Sequence, residues 1–232
     1  PYDFDPSKKY PVIMRVYGGP GSQEAKQWYD GFKMMWHQMM AQKGYITVCV
    51  DNRGTALRGR DFRTSTYGQL GKYETNDQIE AAKWLSKQSF IDGNRIGIWG
   101  WSYGGYMAGL CITRGADVFK AAVSVAPVTN WKYYDNIYTE RYMGTLETNP
   151  NGFDANAPMA YADKLQGKYL LIHGTGDDNV HFQNSAEWIN ALIKNNKQFD
   201  LMIYPDRNHG VSGGNTRYHL YTLMTNFWLE NL

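Results

Sequence analysis

The stretch Ile96-Gly97-Ile98-Trp99-Gly100-Trp101-Ser102-Tyr103-Gly104 decides the fold, because a short apolar run passes directly into a Gly-x-Ser-x-Gly pentapeptide. That is the pattern of a strand turning sharply into a helix with a serine at the corner. The turn forces Ser102 into a strained backbone conformation and lifts its hydroxyl out of the fold. A side chain at Gly100 or Gly104 collides there with the neighbouring strand or helix. Small-residue turns between strand and helix are common, so the rest of the chain has to show whether Ser102 is a nucleophile.

Its partners follow in the order Ser, Asp, His. The apolar run 169–172 ends in His173-Gly174-Thr175-Gly176-Asp177-Asp178, a strand followed by a turn carrying carboxylates, so that Asp177 or Asp178 is the candidate acid. The run 201–204 leads to His209 on a loop before the last helical segment, which makes His209 the candidate base. A serine hydroxyl is a weak nucleophile until an imidazole takes its proton, and a carboxylate fixes the imidazole's tautomer and steadies its charged form. The three residue types in this order point to a serine hydrolase.

Short apolar runs at 12–17, 45–51, 95–99, 121–126, 169–173 and 201–204 predict strands, and the segments 31–43, 77–89, 103–113, 182–195 and 216–232 predict helices. Asp77-Gln78-Ile79-Glu80 fits a capped helix start. Strand and helix alternate, as in an α/β-hydrolase fold: a doubly wound, mostly parallel sheet with helices on both faces and function at the C-terminal strand ends. The whole chain, 1–232, reads as one domain. Its segment 52–72 is long, polar and rich in glycine and arginine, either a functional edge or a surface excursion.

Composition narrows the function classes. The 24 basic and 22 acidic residues are interspersed, giving a net charge of +2 and no field strong enough to argue for nucleic acid or an anionic membrane. No stretch reaches the ~20 apolar residues of a membrane span. The chain begins at Pro1 rather than Met, so its start says little about where a parent protein resides. Cys49 and Cys111 read as buried free thiols. His173, Asp177, Asp178 and His181 lie close together without a recognised ligand spacing, and no metal or other cofactor is expected. His37 and His219 read as surface or packing histidines. Tyrosine and tryptophan are abundant, at 18 and 8, and cluster at Trp131, Tyr133, Tyr134, Tyr138 and Tyr142, a surface suited to an apolar substrate.

Three stretches carry a family resemblance: 100–106, the run from Ala126-Pro127-Val128 through Trp131 and Tyr134 to Tyr142, and 173–182. With them the chain resembles, over nearly its whole length, the catalytic domains of the dipeptidyl peptidase IV branch of the prolyl oligopeptidase family. The resemblance implies Ser102 as nucleophile, Asp177 rather than Asp178 as acid and His209 as base. It implies an oxyanion hole formed by the Tyr17 hydroxyl and the Tyr103 N–H. Tyr103, Val128, Trp131, Tyr134, Tyr138 and Val180 match positions lining a pocket for proline, Trp101 is a further substrate-binding position, and Asn179 matches a residue that binds a substrate carbonyl. The implied substrates are peptides with proline or alanine at the second position. The resemblance also implies an N-terminal β-propeller, absent from these residues, whose paired glutamates hold the substrate's amino terminus. Homodimerisation through elements near the C-terminal helix and a periplasmic, secreted or membrane-anchored extracytoplasmic parent are further expectations. A less specific oligopeptidase or esterase of the same fold, or a non-catalytic assembly module, are the alternatives.

Overall fold

Strand β1 (Tyr10–Val16) opens a series in which short apolar strands alternate with helices. In the computed structural model, which describes residues 1–29 and 31–232, it is followed by α1 (Gly31–Gln42), β2 (Ile46–Cys49), α2 (Arg60–Thr64) and α3 (Lys72–Ser86). Next come β3 (Ile91–Trp101), α4 (Tyr103–Arg114) and β4 (Ala121–Val125). A three-ten turn at Trp131–Tyr133, α5 (Asn136–Met143), α6 (Gly152–Ala155) and a three-ten segment at Pro158–Lys164 lead to β5 (Lys168–Gly174). The chain closes with α7 (Gln183–Lys194), β6 (Asp200–Tyr204) and α8 (Thr216–Asn231).

Among the described residues the strands form one six-stranded sheet, ordered β2-β1-β3-β4-β5-β6, with every neighbouring pair parallel. This is the doubly wound α/β-hydrolase arrangement that the alternation predicts. Strand pleating sends successive side chains to opposite faces. Val12, Met14 and Val16 of β1 and Ile98 of β3 therefore join the core under α3, α4 and α7, while Ile13 and Trp99 join the one under α1 and α8. Burial on both faces explains why the inner strands read as continuous apolar runs, while the edge strands β2 and β6 stay partly exposed. At Gly97 a Cβ would lie 2.4 Å from the Trp228 ring, so glycine is what lets α8 approach β3.

Two local expectations need correction, the start of α3 and the burial of Cys49. Helix α3 begins at Lys72 after Gly71, not at Asp77, whose carboxylate instead pairs with Arg53 Nη2 at 2.6 Å. Its first turns bury Glu74, Thr75 and Gln78, polar residues that an apolar period does not register. Segment 52–72 contains α2 and is tied down by hydrogen bonds from Gly54 N–H to Phe62 and from Gly68 N–H to Tyr142. Cys111 is buried, but Cys49, on edge strand β2, is only half-buried. His37 is half-buried against the Trp99 indole, whereas His219 is a surface histidine hydrogen-bonded to the Tyr204 hydroxyl.

Candidate active site

The corner between β3 and α4 is strained as the sequence requires. Ser102 has φ 61° and ψ −119°, and its N–H donates to the Val125 carbonyl at 2.8 Å, anchoring the turn on β4. Such a backbone costs roughly 1–3 kcal/mol and persists only where its surroundings dictate it. A Cβ on Gly100 would lie 2.3 Å from the Gly104 carbonyl, and one on Gly104 would lie 2.2 Å from the Val16 carbonyl. These are backbone atoms, which cannot swing aside.

The loops after β5 and β6 bring Asp177 and His209 together. Asp177 is buried and its Oδ2 accepts from His209 Nδ1 at 2.7 Å, whereas Asp178 is exposed. The other carboxylate oxygen accepts the N–H groups of Asn179 and Val180, at 3.0 and 2.9 Å. Burial alone would raise the Asp177 carboxyl. The donors on His173 and His209, the His209 charge and the Asn179 amide outweigh it and hold the group well below the usual carboxylate range. It is thus a fixed anion placed to orient an imidazole.

Trp101 ties the base loop to the elbow, its indole N–H donating to the His209 carbonyl at 2.9 Å while Arg217 lies over the ring. Ser102 and His209 line one cleft of about 380 Å³ with Tyr17, Trp101, Tyr134 and Asn179. They are not hydrogen-bonded to each other, and contacts of this kind often tighten only around substrate. A larger opening of about 730 Å³, lined by Lys132, Asp178 and His181, shares Tyr134, Asn179 and His209 with it.

Topology explains why Tyr17 is present. The chain leaves β1 for β2 on one side and later enters β3 on the other, so the strand order reverses between β1 and β3. Crevices at the C-terminal ends of a doubly wound sheet open at this kind of switch point. Tyr17 follows β1 and Ser102 follows β3. The turn after Tyr17 is braced by Asn52, which donates to the Gly18 carbonyl at 3.0 Å and accepts from Gln78 at 3.0 Å. Burial, with the nearby Glu24 and Tyr142, raises the Tyr17 phenol, which stays an O–H donor. Tyr103 opens α4, where helix geometry leaves the first N–H groups without intrahelical acceptors.

The aromatic residues form a connected enclosure. Trp131 packs against Tyr103 at 5.2 Å, stacks on Tyr138 at 5.7 Å and meets Tyr134 edge-on at 5.8 Å. Tyr134 donates its hydroxyl to Asn179 Oδ1 at 2.7 Å. Tyr103, Val128, Trp131 and Val180 are buried in the core cluster and, like half-buried Tyr138, do not line the Ser102 cleft, so that of the six expected pocket residues only Tyr134 faces it. Two buried contacts are not expected from the sequence: Glu74 bonded to Tyr103, and His173, weighed there only as a metal ligand, bonded to Asp177. The Glu74 contact joins α3 to α4, far apart in the chain, and the His173 contact, though only four residues long, depends on how the turn after β5 folds back.

Among the described residues no group of His, Cys, Asp and Glu is arranged to hold a metal ion. His173 and Asp177 use their polar atoms on each other and on neighbouring protein groups.

Comparison with known proteins agrees with this geometry. Residues 31–232 match the model of the Prolyl oligopeptidase family. Prolyl endopeptidase FAP of Mus musculus is 47% identical over 231 residues, covering 98% of this chain and 30% of the relative. Dipeptidyl peptidase 4 of Felis catus is 44% identical with the same coverage. The crystal structure of Porphyromonas gingivalis dipeptidyl peptidase 4 superposes with a TM-score of 0.97 at 47% identity, over 100% of this chain and 33% of that one. The chain therefore spans about a third of the length of these relatives.

Proposed function

The chain belongs to the prolyl oligopeptidase family, and on that premise we propose that it is the peptidase domain of a serine dipeptidyl peptidase that cleaves after proline, or alanine, at the second position. The observation that carries this reading is the hydrogen bond from His209 to buried Asp177, with His209 opening onto the same cleft as a serine on a strained elbow.

In this reading His209 takes the proton of Ser102 as Oγ attacks the scissile carbonyl, while Asp177 holds the imidazole and balances its charge. The developing oxyanion rests between the Tyr17 hydroxyl and the Tyr103 N–H, donors set in place before charge appears. Collapse of the tetrahedral intermediate breaks the C–N bond, and His209 gives its proton to the leaving amine. Water, deprotonated by His209, then releases the acyl group from Ser102. A proline ring offers flat apolar faces and little conformational freedom to lose, which suits a rigid aromatic wall with Tyr134 at the cleft and Tyr103, Val128, Trp131, Tyr138 and Val180 as the pocket residues expected of the family around it. Asn179 holds a substrate carbonyl. Trp101 serves both substrate and the base loop.

The substrate's amino terminus is assigned to the N-terminal propeller of a longer parent, and that parent to an extracytoplasmic site. A second copy is the proposed partner, and the apolar groove between α1 and α8, with Phe32, Met35 and Tyr218 exposed, supports pairing there.

The test is covalent labelling by a fluorophosphonate probe with the modified residue mapped by mass spectrometry. Labelling confined to Ser102, and lost in Ser102→Ala, is expected. Folded protein that takes no label would overturn the site, and label on another residue would move it.

A further inference from the structure

His173 is fully buried at the end of β5 and is a second histidine on the carboxylate that holds His209. Its Nε2 lies 2.8 Å from the Val180 carbonyl and 3.1 Å from Asp177 Oδ2, and its Nδ1 lies 2.6 Å from Ser185 Oγ. A carbonyl oxygen only accepts, so Nε2 carries the hydrogen and shares it between Val180 and Asp177. On the neutral ring Nδ1 is then the acceptor, and the Ser185 hydroxyl, near the start of α7, donates to it. The opposite tautomer would turn the Nε2 lone pair toward two oxygens in a buried site, at a cost that the surroundings do not offset. Phe182, edge-on at 5.6 Å, closes the ring's remaining side.

We infer that His173, fixed as its Nε2–H tautomer by Ser185 and Val180, is a positioning residue that pins Asp177 in the orientation from which it holds His209. The inference rests on the triad reading above. Both histidines meet the same oxygen, Oδ2, while Oδ1 is held by two main-chain amides, so the carboxylate is fixed from both ends and cannot rotate. Without His173 one anchor on Oδ2 is lost. The oxygen then bears more charge toward His209, and the carboxylate is freer to turn away from it. The titratable groups around Asp177 are His173, His209 and, more weakly, Tyr134.

The experiment measures the rate of Ser102 phosphonylation by a fluorophosphonate against pH on the intact protein, with Asp177→Asn, His173→Phe, His173→Gln and Ser185→Ala. Asp177→Asn should lose roughly a hundredfold or more, and an unimpaired Asp177→Asn would sink the triad reading rather than this inference alone. His173→Phe should slow labelling roughly tenfold and move the midpoint of the acid limb upward by about half a pH unit. Glutamine can place an N–H near the Nε2 position, so His173→Gln should recover to within about threefold of the parent with the midpoint restored. If Asp177→Asn is crippled while His173→Phe keeps the parent's rate and midpoint, His173 does not position Asp177. Equal losses in the Phe and Gln variants with an unmoved midpoint also overturn the inference, because that is the behaviour of a packing residue. Should His173→Phe not fold, Ser185→Ala decides: a moved midpoint supports the relay, and an unchanged profile rejects it.

Discussion

The hydroxyl of Tyr103 donates to Glu74 Oε1 across 2.8 Å, with both side chains buried. Tyr103 is the residue whose main chain offers the second oxyanion donor in the proposed mechanism, and Glu74 sits in the first turn of α3, so a helix on one side of the sheet braces the elbow. The other carboxylate oxygen of Glu74 has no hydrogen-bond partner. Burial pushes this carboxyl up from 4.5 to about 7, against the Gly71 and Glu74 amides and the Tyr103 hydroxyl, with Asp77 adding to the rise.

A folded-state value above the unfolded one means that the native protein binds more protons across that window. Stability from this group is therefore fully present below about pH 4.5 and is lost as pH rises through about 7. The loss is on the order of 3 kcal/mol. Glu74→Gln removes the titration, so the stability gap between variant and parent should shift in the variant's favour by about that amount between pH 5 and 8. Chemical denaturation of both proteins at the two pH values checks this, and parallel curves would show that Glu74 does not titrate there.

Tyr17→Phe removes a hydroxyl and leaves the ring that packs on Tyr103 at 6.0 Å. If the phenol stabilises charge that exists only in the transition state, kcat should fall by roughly 10²–10³ with little change in KM. Steady-state kinetics on a dipeptidyl anilide give the answer; an unaltered kcat removes Tyr17 from the oxyanion hole.

Tyr134 closes the enclosure from the cleft side and is tied to Asn179. Tyr134→Ala should cost a prolyl substrate at least about tenfold more in kcat/KM than a small activated ester, which uses the triad without the pocket. Equal losses on the two substrates would favour the less specific esterase or oligopeptidase.

Gly100→Ala sets a methyl group against the Gly104 main chain 2.3 Å away. The turn can accept it only by opening, so the variant should lose about 3 kcal/mol of stability and its fluorophosphonate reactivity together. Retention of both would mean that the elbow is looser than its φ and ψ describe.

Features that depend on near neighbours in the chain are legible before folding is considered. Apolar runs of strand length, helical spacing between them and a Gly-x-Ser-x-Gly corner are local patterns, and they located the six strands found among the described residues, and Ser102. The helix start at Lys72 was hidden because its buried face is polar, and α5 and α6 because short helices between aromatic residues have no clear period. Residue type and order left Asp177 and Asp178 equivalent and only the family resemblance chose between them; the fold supplies the physical reason, since Asp177 faces inward from the turn within reach of His209 and Asp178 faces outward. Only the tertiary structure joined Glu74 to Tyr103 and His173 to Ser185. Those bonds were invisible in the sequence because a polar residue is read as exposed until a partner from a distant element satisfies it in the interior.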